Sequence, residues 1–97
     1  MQVQVGSDYD LAASLKINRT AVRIARNLAA HQQAGEVGWA PQLRELIAFQ
    51  KIADVLGTEA AFANLVGIAP LEDRDTVAEI VTKAIGRPVT LALGRQL

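Results

Sequence analysis

The stretch Gly38 to Gly57, "GWAPQLRELIAFQKIADVLG", constrains this chain more than any other part of it. Leu43, Leu46, Ile47, Phe49, Ile52, Ala53, Val55 and Leu56 recur at helical spacing and cover much of the circumference. Pro41 suits the first helical turn, where its missing N–H would have no acceptor anyway, and Gly57 ends the segment. So apolar a helix needs cover on several sides, and 97 residues leave room for one core only. The cover must itself be helical. Apolar residues make up 51% of the chain and aromatic ones only 4%, which leaves Ala, Leu, Val and Ile as the packing material. The expected class is all-α.

Shorter segments fit around this central helix. Asp8 is a candidate cap for a helix from about Tyr9 to Leu15, and Asn18 for a second from Arg19 to Gln33 closed by Gly35. Ala21, Ile24, Ala25 and Leu28 give the second helix its apolar face, with Arg19, Arg23 and Arg26 on another. Thr58 can cap a helix carrying Ala60, Phe62, Leu65 and Val66 that stops at Gly67. Asp73 or Asp75 can cap a last one carrying Val77, Ile80, Val81 and Ile85, ended by Gly86. Val3 and Val5 alternate with Gln2 and Gln4, a period-2 pattern that reads as a short leading strand over residues 1–7. "RPVTLALGRQL", residues 87–97, reads as an extended tail. The expectation is a small bundle of about five helices over residues 8–86, with that strand before it and that tail after it.

Several chemistries lack their residues. The chain has no cysteine, so it offers no disulfide and no thiolate metal site, and the cytoplasm is the expected compartment. It shows no basic leader and no run near the ~20 apolar residues of a membrane span. Neither a phosphate loop nor a dinucleotide-binding glycine turn is present. His31 is the only histidine, and near a helix end it reads as a partner for the helix dipole rather than a base. Glu72, Asp73 and Asp75 cluster where a helix starts, which is capping chemistry before it is a cation site. No catalytic residue and no metal ligand is assigned.

Charge is balanced overall and segregated locally. Ten basic residues offset ten acidic ones, but residues 11–35 hold Lys16, Arg19, Arg23 and Arg26 with no acid, leaving the remainder at net −4. "LAASLKINRTAV", residues 11–22, has the outline of a helix-turn-helix, in which Asn18, Arg19, Thr20 and Arg23 would meet bases and phosphates. The neutral total charge argues against a DNA reader. Nucleic acid is a partner only under that alternative.

Residues 35–77, "GEVGWAPQLRELIAFQKIADVLGTEAAFANLVGIAPLEDRDTV", resemble the C-terminal helical lid of AAA+ ATPases of the MoxR and CbbQ/NorQ, dynein-related kind. A marked turn leads into a helix bearing an arginine, then come a helix ending in glycine, a short helix, and a proline- and acid-marked turn into a last helix. "MQVQVGSDYD" is similar to the strand that runs from the ATPase core into the lid. The resemblance implies that Arg44 is the sensor-2 arginine, reaching the terminal phosphate of ATP. It also implies that Arg19, Arg23 and Arg26 face nucleotide or a neighbouring subunit. ATP and Mg would belong to the parent protein, with its N-terminal AAA+ core and a homo-oligomeric, hexameric assembly as partners. This chain alone would bind no cofactor, carry no activity and need no membrane. Physically, a guanidinium at a helix start adds to the dipole and free amides that already favour an anion there. The competing assignment is an ion pair, with Glu45 adjacent and Asp54 or acids of the last helix as further candidates.

Overall fold

A computed structural model describes residues 3–86, with side chains from Tyr9 onward. Five α-helices form: α1 Val3–Ser14, α2 Arg19–Gln33, α3 Leu43–Leu56, α4 Thr58–Gly67 and α5 Arg74–Ile85, with a 3-10 turn over Leu71–Asp73 before α5. The described residues contain no strand.

Local chemistry sets most of these boundaries. Asn18 lies outside helical geometry, and its side chain accepts from the Ala21 amide at 3.0 Å, so α2 starts at Arg19. Gly35 takes φ 81° just past the end of α2, where Glu36 N–H bonds back to the His31 carbonyl at 2.9 Å and Gly35 N–H to Gln32 at 3.0 Å. A left-handed residue there closes the helix by satisfying its last carbonyls. Between α3 and α4 only Gly57 intervenes, at φ 99°, ending one helix and preceding the next. A side chain at that φ would be strained, which fixes glycine at this corner.

Five expectations are corrected. Residues 3–7 are the start of α1 rather than a leading strand, and Asp8 lies inside that helix rather than capping it. A lone strand has no neighbour to take its hydrogen bonds, whereas a helix satisfies them locally. Residues 1–2 and the tail, 87–97, lie outside the described residues. Pro41 precedes the helix instead of opening it, because Gln42 is extended and its carbonyl accepts the first helical bond, from Leu46 N–H at 3.0 Å. Thr58 is the first residue of α4 and not its cap, since Gly57 already occupies that place. Gly67 stays helical, and α4 closes at Ile68.

The helices form a ring in which α1 packs on α2, α2 on α5, α5 on α4, α4 on α3 and α3 back on α1, while α2 also touches α3 across the middle. This closes a core of mostly small and medium aliphatic side chains from all five helices, joined by Tyr9, Phe49 and Phe62. The burial pattern departs from the sequence reading of α3. Only Leu46 and Phe49 of that helix are fully buried, while Val55 is 80% and Leu56 69% exposed. Instead α2 supplies the largest buried stripe, Ala21, Val22, Ile24, Ala25, Leu28 and Ala29. Its apolar residues are concentrated on one face, and its small alanines let neighbours approach closely. Phe49 and Phe62 meet edge to face with centroids 4.8 Å apart, pinning α3 to α4. Arg74 donates to the carbonyls of Gly67 at 3.1 Å and Ala69 at 3.0 Å, capping the end of α4 from the start of α5.

Candidate functional site

Arg44 stands in the first turn of α3, its side chain 87% exposed. The neighbouring Glu45 divides its carboxylate: one oxygen accepts from the Gln42 amide at 2.8 Å, closing the helix start, and the other lies 3.7 Å from the Arg44 guanidinium. The expected Glu45 pairing is therefore present, at long range and in solvent, where it is worth about 0–1 kcal/mol. Asp54 is engaged elsewhere, accepting from Gln50 at 2.9 Å. The Arg44 guanidinium makes no other hydrogen bond or ion pair among the described residues. It faces solvent at a helix start that favours anions.

The basic residues of α2 separate into different tasks. Arg26 is tied to Asp10 of α1 at 2.7 Å, with both side chains largely exposed. Asn18 is spent structurally: its side chain caps α2, and its backbone N–H donates to Gln50 of α3 at 2.7 Å. Thr20 is half-buried. Arg19 and Arg23 are exposed and carry no ion pair among the described residues. Of the residues a DNA reader would use, these two arginines are the ones left free.

His31 sits in the last turn of α2, where its Nδ1 meets the Glu36 carboxylate. Asp73 precedes α5 but makes no cap with its side chain, which instead accepts from the Gly38 amide at 3.1 Å and holds the α2–α3 loop against α5. The described residues contain no cluster of three or more His, Cys, Asp or Glu arranged to hold a metal. None of their charged residues is fully buried, although the Arg74 guanidinium is partly enclosed, with its Nε out of water and without a partner among the described residues. Trp39 packs partly buried against the core and Pro41 is fully buried, both consistent with fixing the turn into α3.

One feature escaped the sequence. The α2–α5 pairing leaves a groove of about 460 Å³ in which Arg23 and Asn27 face Glu79 and Lys83. The spacing signals were present, since 23 and 27, like 79 and 83, are one helical turn apart and share a face. That the two faces oppose each other is a tertiary fact. Among the described residues no helix is long and apolar enough to cross a membrane. The chain matches no protein-family model, no curated protein and no solved structure.

Proposed function

We propose that this chain is the helical lid of an AAA+ ATPase of the MoxR and CbbQ/NorQ kind, closing over ATP that is bound by a core outside the chain. The observation that carries the reading is the state of Arg44: a permanent cation in the first turn of α3, 87% exposed and held, among the described residues, only by a 3.7 Å pair to Glu45. A guanidinium with so little structural duty is available to a terminal phosphate, which its planar donors match in geometry. The all-α ring of helices joined by short connections supports a rigid body that moves as a unit.

In this reading Arg44 meets the terminal phosphate, Mg is held by carboxylates of the core, and the exposed Arg19 and Arg23 face nucleotide or the next subunit of a homo-oligomer. Arg26, paired with Asp10, contributes through the α1–α2 corner it braces. The cytoplasm is the matching location. The test is ATP turnover by the parent protein, whose residues ahead of this lid should carry a phosphate loop and an acidic metal-binding strand. A parent without that loop, or without ATP turnover, overturns the reading.

A further inference from the structure

The groove between α2 and α5 has an apolar floor that includes Ile24 and Ile80, and a polar rim. Arg23 and Asn27 stand on the α2 side, Glu79 and Lys83 on the α5 side. Of the other arginines on these helices, Arg26 is paired with Asp10, Arg74 is bonded to the carbonyls that end α4, and Arg19 is not among the residues lining the groove. Arg23 and Lys83 make no ion pair among the described residues, even though Glu79 lies one turn from Lys83 on the same helix. Two unpaired cations on opposite walls of one concavity draw a small anion between them. The α2 wall belongs to residues 11–35, which carry four basic residues and no acid, whereas Glu79 accompanies Lys83 on the α5 wall, so the attraction is strongest on the α2 side.

We propose that this groove binds a phosphomonoester carried on a flat, largely apolar body, the chemistry of a nucleoside monophosphate. Charge selects the monoester. Arg23 and Lys83 against Glu79 leave the lining at net +1, which offsets most of the charge of about −1.5 to −2 on one phosphate at neutral pH and far less of that on a triphosphate. Arg23 offers a planar fork to two phosphate oxygens, and Lys83 a point charge to a third. The apolar floor takes the flat body, while the Asn27 amide and the Glu79 carboxylate meet its hydroxyl or amine donors. The volume of about 460 Å³ falls within the range usual for small-molecule sites. The site lies apart from Arg44, which is not among its lining residues, and it does not rest on the lid reading.

The experiment is a titration of the 15N-labelled 97-residue chain with adenosine monophosphate, adenosine and inorganic phosphate, read by amide chemical shifts. The monophosphate should give saturable shifts over residues 23–31 and 76–84, with a dissociation constant on the order of 1 mM or tighter. Adenosine and phosphate should each bind at least about tenfold more weakly, because each lacks half of the recognised groups. Arg23→Gln and Lys83→Gln should each weaken the monophosphate by about tenfold, losing one charge-assisted contact, with melting temperatures unchanged and with Lys51→Gln, an exposed cation of α3 outside the groove, without effect. Phosphate binding as tightly as the monophosphate would overturn the monoester assignment. Shifts that are absent, centred on the start of α3, or indifferent to both substitutions would overturn the site itself.

Discussion

The Tyr9 phenol donates a 2.8 Å hydrogen bond to the Pro41 carbonyl, joining α1 to the turn that leads into α3 across 32 residues of sequence. The ring is only 5% exposed, and Pro41 itself is fully buried, so the bond is made out of water. A proline at 41 has no N–H to hold this turn, which leaves its carbonyl as the backbone handle. Tyr9→Phe keeps the packing and removes the donor, and should cost about 1–2 kcal/mol by stranding a buried carbonyl. Tyr9→Ala also opens a cavity and should cost about 3–5 kcal/mol. Urea unfolding followed by circular dichroism measures both; a Tyr9→Phe variant as stable as the unaltered chain would show that the hydroxyl contributes nothing beyond the ring.

Lys16 is the one non-glycine described residue with positive φ, at 65°. It ends α1, where Lys16 N–H bonds to Ala13 at 3.2 Å and Ile17 N–H to Ala12 at 3.3 Å, so the chain can turn into Asn18 and α2. A lysine Cβ is disfavoured in this conformation by about 1–2 kcal/mol, and glycine recovers more there than it loses in unfolded-chain entropy. Lys16→Gly should therefore stabilise the domain by roughly 0.5 kcal/mol. Thermal melting compared with a Lys16→Ala control checks the sign. A glycine variant that melts lower than both would contradict the left-handed assignment.

The sequence shows a boundary best where one side chain performs a local task. Asn18 and Gly35 bracket α2 at Arg19–Gln33 because capping and left-handed closure are decided within a few residues. At the start of α1 the Val–Gln alternation was a two-residue signal, and with no adjoining strand the helix takes those residues. Burial was less legible. The apolar residues of α3 nearly surround it, so its sequence could not say that Val55 and Leu56 stay in water. The division of the arginines was hidden for the same reason: Arg26 finds Asp10 on α1, and Arg23 finds Lys83 across a groove, only once helices pack.

Sequence-selective DNA binding through the α1–α2 corner is not expected. Asn18 is occupied as a cap and Arg26 by Asp10, which leaves Arg19 and Arg23 to read bases. Two exposed arginines on a chain of zero net charge support at most weak, strongly salt-dependent attraction to phosphates. Fluorescence anisotropy at about 0.15 M salt, comparing several duplex sequences, should show no preference. A selective complex that loses about 1–3 kcal/mol with Arg19→Ala or Arg23→Ala would establish the corner as a DNA reader instead.

Arg44 separates structural from functional roles most sharply. Its only partner among the described residues is Glu45 at 3.7 Å, and Glu45 keeps its bond to the Gln42 amide whether or not the arginine is present. Arg44→Ala should therefore change the stability of the isolated chain by no more than about 0.5 kcal/mol, a shift of less than roughly 4 °C in melting temperature. Under the proposed lid function, the same substitution in the parent protein would remove a cation from the charge that develops on the transferred phosphoryl group. Turnover should fall by an order of magnitude or more, and Arg44→Lys should restore part of it by supplying charge without the fork. The chain on its own should hydrolyse no ATP, since it lacks the phosphate loop that would hold the nucleotide. Steady-state ATPase assays of the parent, normalised to folded protein, and calorimetry of the chain give the two readouts. A chain that loses several kcal/mol while the parent's turnover per folded molecule stays constant would make Arg44 a structural residue and remove the main support for the lid.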